Sequence, residues 1–365
     1  MKKFIAAFLF VIILCGVASA DIVYTTTDGK LGLITIGGAS SIDVEEIQYE
    51  TGLTNPIVSA YWADETAKTL VIGQSEDIEN DIAIRFNSSN LTTPLDSNPV
   101  TLSGVSNASH ISSIRNGRGL YLVYGSSIRE FDTENLLPKD RVYTYSTSNE
   151  EADTNIKGAL VVSNRIYVLV NNTLMSFDGQ LDRDEQNFSE WNLESGAETI
   201  CTLSGSRIAI GHSSGVQILG KRLLNAIEDI AQVKALYPDN GSGFYFVTQE
   251  NSEGDYQNTL YHYTGVTTNT IHRFTGEHFQ LLRNSNLLAM IMEEKIQFYN
   301  PANDDEFIKE FDKDELGGTP YRITNRSVSG EKDTYGSSGG CNLSNAGIIM
   351  FSLILCCVKI SRKIV

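Results

Sequence analysis

One stretch of 16 residues recurs along this chain. A unit too short to bury its own apolar faces must stack against its copies. The clearest copies are "GRGLYLVYGSSIREFD" (117–132), "SNRIYVLVNNTLMSFD" (163–178), "GSRIAIGHSSGVQILG" (205–220) and "NSNLLAMIMEEKIQFY" (284–299). Each opens on small or polar residues, runs through an apolar segment, turns within "GSS", "NNT", "SSG" or "EEK", and ends in an alternating segment. The apolar run is rich in Ile, Leu, Val and Tyr, which suits a strand buried on both faces. The alternating segment, such as Ile128, Glu130 and then Phe131, suits its antiparallel partner across a turn of hairpin length.

The gap between the copies starting at 205 and 284 is nearly two periods, and a degenerate copy fills it: "GSGFYFVTQENSEGDYQNTLYHYTG" (241–265). Two further copies precede the first, "AKTLVIGQSEDIENDIAIRFN" (67–87) and "DIVYTTTDGKLGLITI" (21–36), the latter turning on Asp28-Gly29. That makes seven units with a period near 40 residues. A short apolar strand such as "PIVSAYWA", "IKGALVV" or "VKALYP" precedes each unit, and a polar extended segment such as "RVYTYST" or "FSEWNL" follows it.

Four antiparallel strands per unit predict an all-β fold, a seven-bladed β-propeller over residues 21–324, with "PYRIT" (320–324) pairing with the first blade to close the ring. The chain resembles the broad class of bacterial seven-bladed propellers built from WD40-like or quinoprotein-like repeats. The Gly-His…Trp-Asp pairing of the eukaryotic WD40 repeat and a repeating kelch di-glycine are absent, since neither Trp62 nor Trp191 is followed by Asp. A pair of β-sandwiches is the rival architecture, since regular strand spacing fits that too. Within "KRLLNAIEDIAQVKAL" (221–236), Leu223, Leu224, Ile227, Ile230 and Ala231 fall at helical spacing, which predicts a helical turn or an irregular outer strand.

Both ends stand apart from the repeats. Residues 1–20 carry Lys2 and Lys3, an apolar run from Phe4 to Leu14, and Ala18-Ser19-Ala20. This is the pattern of a secretory signal peptide cut after Ala20, the small residues Ala18 and Ala20 marking the cleavage site. Residues 325–340 are rich in Ser and Gly and read as a flexible linker. Residues 341–365 then give one apolar helix with a basic end. Ala346, Gly347, Ile348, Phe351, Leu353, Leu355 and Val358 belong to the uncharged run, and Lys359, Arg362 and Lys363 follow it. The basic end obeys the positive-inside rule, so the helix would hold an exported domain at a membrane with the propeller outside.

Gly339, Gly340 and Cys341 just ahead of the helix resemble a bacterial C-terminal sorting signal of the Synergist type. That resemblance implies cleavage near Gly-Gly-Cys by a membrane-embedded sorting protease, then transfer to the cell surface. Cys356-Cys357 within the helix and the broken basic end depart from the pattern. A plain tail anchor and a GPI-type signal are the alternatives.

Charge narrows the partners. The chain carries a formal net charge of −17, and its two end segments hold five basic residues and no acidic ones, so the repeat region is more acidic still. Such a domain repels nucleic acid, which needs a basic patch. The acid runs at Asp182-Arg183-Asp184-Glu185 and Asp304-Asp305-Glu306 lack the spacing of a 12-residue calcium loop and read as solvated loop charge.

Of the five cysteines, Cys201 stands alone in the repeat region and reads as a buried strand residue. The five histidines, His110, His212, His262, His272 and His278, are scattered. No nucleophile elbow, zinc motif or phosphate loop occurs, so no metal, no cofactor and no catalytic residue is expected. The expected function is a non-catalytic cell-envelope or surface-displayed binding or scaffold module. Its partners would be an envelope protein or an extracellular polymer, with contacts from Tyr61-Trp62 and the loops at 74–80 and 249–258. The alternative is an exported hydrolase or lyase acting on such a polymer, which would crowd ionisable groups at one mouth of the channel.

Overall fold

The computed structural model describes residues 21–326, apart from short interior stretches of which 147–154 and 182–187 are the longest. Residues 1–20 and 327–365 lie outside the described residues, and with them the signal segment, most of the linker, Gly339 to Cys341, and the helix with its basic end. No helix among the described residues is long and apolar enough to cross a membrane.

The described strands form seven antiparallel sheets. Blade 1 holds β1 (Ile22–Thr26), β2 (Lys30–Gly38) and β3 (Ser41–Val44), with β4 (Tyr49–Glu50) pairing off β2. Blade 2 holds β5 (Thr54–Ala63), β6 (Thr66–Ser75), β7 (Ile78–Asn87) and β8 (Asn90–Pro94), with β9 (Val100–Thr101) pairing off β7. Blade 3 is β10 (Ala108–Ile114), β11 (Gly119–Tyr124), β12 (Ser127–Phe131) and β13 (Pro138–Thr144). Blade 4 is β14 (Ile156–Val162), β15 (Arg165–Val170), β16 (Thr173–Asp178) and β17 (Ser189–Asn192). Blade 5 is β18 (Thr199–Leu203), β19 (Arg207–His212), β20 (Gly215–Leu219) and β21 (Leu223–Ile227). Blade 6 is β22 (Gln232–Pro238), β23 (Phe244–Ser252), β24 (Asp255–Tyr263) and β25 (Thr268–Thr275). Blade 7 is β26 (Phe279–Asn284), β27 (Leu287–Met292), β28 (Lys295–Asn300) and β29 (Glu306–Asp312).

The last strand, β30 (Pro320–Asn325), returns to blade 1 and pairs with β1, from Ile22 opposite Asn325 to Thr25 opposite Arg322. Each of β5, β10, β14, β18, β22, β26 and β30 packs against the next, and β30 packs against β5, so the innermost strands close a circle. A closed circle of seven sheets is a seven-bladed β-propeller and rules out the paired sandwich.

The core lies between the blades, which is why the repeat needs copies of itself. In β11, Leu120 and Leu122 face blade 2 while Tyr121 and Val123 face blade 4. In β23, Phe244 and Phe246 face blade 5 while Tyr245 and Val247 face blade 7. Strict alternation along an all-apolar run thus fills two interfaces at once.

Of the two expectations for 221–236, the irregular outer strand holds and the helical turn does not. Leu223 to Ile227 pair with β20 as an outer strand, with a register shift between Val216 and Gln217. An open edge next to a bulged strand outweighs a weak local preference.

Blade 1 shows how one glycine is used. Gly32 lies opposite Tyr24, whose ring covers it and whose hydroxyl donates to the Leu316 carbonyl at 3.0 Å. A Cβ on Gly32 would fall 2.1 Å from that ring. Gly32→Ala should therefore cost about 2 kcal/mol, as the ring is displaced in a packed core and its hydrogen bond breaks. Equilibrium urea unfolding measures it, and an unchanged midpoint would refute this account of the ring.

Candidate functional site

The innermost strands surround a central cavity of about 340 Å³, within the range of small-molecule sites. Every innermost strand contributes to its walls, as with 57–60 of β5, 157–159 of β14, 279–282 of β26 and 322–325 of β30. Hairpins between the second and third strands of each blade, such as β6–β7 and β23–β24, turn on the face where the innermost strands begin. The segments 74–80 and 249–258, expected as loops, are largely the paired ends of those hairpins.

Besides Tyr237, the residues His110, Lys157, Glu198, Lys234 and Arg322 line the cavity with ionisable groups. These five come from blades 3, 4, 5, 6 and 1. Glu198 is the only carboxylate among the described lining residues. It accepts from the Gln232 amide at 3.2 Å and pairs with Lys234 at 3.6 Å. Arg322 donates to the Tyr321 carbonyl at 3.3 Å and lies over the Tyr321 ring at 4.6 Å, with no carboxylate in ion-pair reach among the described residues. Its guanidinium stays charged regardless of burial.

That charge acts on two neighbours. Burial first, and the Arg322 guanidinium second, push His110 down to about 4. The same two causes, in the same order, lower His278. Both imidazoles are neutral at pH 7, so the cations of the site are Arg322, Lys157 and Lys234.

Blade 7 fixes Arg322 by side-chain hydrogen bonds to the main chain of β30. His278 donates from Nε2 to the Tyr321 carbonyl at 2.8 Å and stacks on the Tyr321 ring. The Gln280 amide accepts from Ile323 N at 2.9 Å and donates to Ile323 O at 3.0 Å. Asn325 donates to the Arg283 carbonyl at 3.0 Å. Adjacent innermost strands have no ladder between them, so these side chains stand in for one.

The strongest electrostatic cluster lies elsewhere, between blades 6 and 7. His262 bridges Asp305 from Nδ1 at 3.0 Å and Asp239 from Nε2 at 3.2 Å. Tyr245 stacks on its ring and donates to Asp305 at 3.1 Å, while the amides of Gly241 and Gly243 donate to Asp239. Burial alone would lower His262, but the two carboxylates more than reverse this and hold it up at about 9. Every polar atom of the cluster that faces another is satisfied by it, and none lines the cavity. It bolts two blades together.

Other expected residues fall as follows. Cys201 is buried in β18 and takes part in no disulfide among the described residues. Tyr61 is buried between blades 2 and 3 and Trp62 is half-buried, so Tyr61 is a core aromatic. Asp304 and Glu306 are exposed, as solvated charge should be, but Asp305 between them is buried in the His262 cluster, which corrects the reading of that run as loop charge. His272 stacks on Phe274, away from the cavity. No group of three metal-ligating side chains occurs among the described residues.

The channel cations were missed, although each left a trace: Lys157 in "IKGALVV", Lys234 in "VKALYP" and Arg322 in "PYRIT" are single cations inside apolar innermost strands.

The fold and its channel define a seven-bladed β-propeller. No protein-family model matches the chain, and no curated protein does. Among solved structures it is similar to a 6-phosphogluconolactonase candidate from Bacteroides uniformis, at 11% identity and a TM-score of 0.59, over 84% of this chain and 99% of that one. It is also similar to hydrazine synthase from Kuenenia stuttgartiensis, at 9% identity and a TM-score of 0.54, over 78% and 96% of the two chains. At these identities the likeness is one of fold alone.

Proposed function

We propose that this chain is a non-catalytic binding module of the cell envelope or cell surface, which holds its ligand at the mouth of the central channel. One observation carries the reading: the cavity is of ligand size, its ionisable groups come from different blades, and its one carboxylate among the described residues, Glu198, is taken up by Lys234 and Gln232. Such a lining can hold a ligand. A hydrolase or lyase would need an acid, a base or a nucleophile in mutual hydrogen-bond reach. The end segments support export, with cleavage after Ala20, and delivery through Gly339-Gly340-Cys341 and the apolar helix behind them.

Intact mass of the protein purified from its own cells tests delivery. The expected product lacks residues 1–20 and ends near Gly340 or Cys341, while Cys341→Ala retains its tail. Termination of both at Val365 would replace processing by a permanent anchor. A cytoplasmic product that keeps residues 1–20 would overturn the envelope reading. For binding against catalysis, a co-purified ligand should return from the protein unchanged in mass. A ligand that returns cleaved would overturn the non-catalytic reading.

A further inference from the structure

Of the charged groups lining the channel, all but one are answered from within the chain. Glu198 is taken up by Lys234 at 3.6 Å and by the Gln232 amide at 3.2 Å. Lys157 has an interaction of its own within the chain. Arg322 is the exception. Its Nη1 donates to the Tyr321 carbonyl at 3.3 Å, and its guanidinium lies 4.6 Å from the centre of the Tyr321 ring. Its Nε and Nη2 make no hydrogen bond, and it meets no carboxylate, among the described residues. A guanidinium withdrawn from bulk water without a counter-ion is costly, and an anion entering the channel removes that cost. The ring and the carbonyl of Tyr321 hold the group in one orientation. Its Nε–Nη2 edge is then a planar fork that matches a carboxylate.

The neighbours of Arg322 narrow the anion. Burial and the charge of Arg322 keep His110 and His278 neutral at pH 7. The site therefore offers one unanswered positive charge, whereas a phosphoryl group brings nearly two negative ones. The strongly acidic chain repels a multiply charged anion further. His110, which lines the same cavity, adds a direction. Ser109 Oγ donates to the Val123 carbonyl at 3.4 Å, so it accepts from His110 Nδ1 at 3.0 Å. The Nε2 of that neutral ring is left as an acceptor, which suits a hydroxyl on the ligand.

We propose that the channel binds a small hydroxylated monocarboxylate, its carboxylate on the Nε–Nη2 edge of Arg322 and a hydroxyl donating to Nε2 of His110. About 340 Å³ holds such a molecule and excludes a folded partner. This inference rests on the reading of the channel as a binding site.

The test is a thermal-shift titration of the full-length chain in mild non-ionic detergent at pH 7. Lactate and quinate are the probes, each beside its counterpart without hydroxyls, propionate and cyclohexanecarboxylate. Inorganic phosphate is the rival anion, glucose is uncharged, and sodium chloride controls for ionic strength. At least one hydroxycarboxylate should raise the midpoint saturably, with half-saturation at or below about 10 mM. It should bind more tightly than phosphate and than its own counterpart. Arg322→Gln should weaken it by about tenfold or more. His110→Ala should abolish the preference for the hydroxylated member of the pair. That variant leaves β30 untouched, so it keeps the test valid if Arg322→Gln misfolds.

The proposal fails if neither hydroxycarboxylate exceeds the chloride control, if phosphate binds more tightly than both, or if neither is preferred to its counterpart. It fails equally if a folded Arg322→Gln retains binding or if His110→Ala keeps the preference for the hydroxyl. Saturable stabilisation by glucose alone would remove the carboxylate while leaving the binding-module reading intact. Carboxylate binding followed by chemical change of the bound probe would do the reverse.

Discussion

A chain ending at Gly318 should not fold into a stable ring, whereas one ending at Arg326 should unfold in a single transition. The difference is β30. It is the innermost strand of blade 1, and without it β1 becomes an open edge inside the ring. Ile323 is buried in the cluster shared by blades 6, 7 and 1, and would be lost with it. The main-chain and side-chain bonds that β30 makes with β1, His278 and Gln280 would leave buried donors and acceptors behind. Losing a buried Ile costs about 2–5 kcal/mol, and each orphaned polar group about 1–3 kcal/mol more. The sum rivals the whole stability of a typical domain. Circular dichroism and binding of a hydrophobic dye compare the two chains. Midpoints within 2 °C of each other would show that the ring closes without its last strand.

Next in size is the bolt between blades 6 and 7. His262→Ala leaves Asp239 and Asp305 buried together without their cation, which should cost about 3–5 kcal/mol. The wild-type pH profile carries the same signature. His262 is raised in the folded state, so its stabilisation is full below about pH 6.5 and is lost as pH rises through 9. The span from 6.5 to 9 is worth about 3–4 kcal/mol at most, since one pKa unit is about 1.4 kcal/mol. On the acid side the sign reverses. His110 is lowered to about 4, and His212, His272 and His278 are lowered too, so stability falls as pH drops below about 6.5. Urea midpoints against pH should therefore peak near 6.5. In His262→Ala the alkaline limb should flatten while the acid limb stays. An alkaline limb of unchanged slope in that variant would detach it from His262.

These two sites differ in how far they were legible in the sequence. The ring was legible because an apolar run buried on both faces has a fixed composition, and because "PYRIT" is a strand with no partner in its own repeat. The seven blades and the closing strand followed from that pattern. Its boundary was less legible: Asn325 and Arg326, which read as the start of a polar linker, belong to the ring. Asn325 ends β30, and Arg326 grips Asp21 by an ion pair at 2.9 Å and a main-chain bond at 2.8 Å. Polar residues that satisfy one another across a long separation look like linker residues until the partner is placed.

The His262 cluster was illegible for the same reason. Its members stand at 239, 245, 262 and 305, joined by no spacing rule, and Asp305 was hidden among exposed acids. The channel cations lay between these extremes. A charge inside an apolar strand is visible, but that Lys157, Lys234 and Arg322 share one cavity depends on which strands are innermost.

The grip between Arg326 and Asp21 has a further consequence for how the ring bears load. Asn325 at the end of β30 lies opposite Ile22 at the start of β1, so the described ring begins and ends at one seam. Any tether drawn from Arg326 would pull on that seam. The ion pair and main-chain bond between Arg326 and Asp21 would take the pull before the β1–β30 ladder did, and so shield the closing strand from being peeled away.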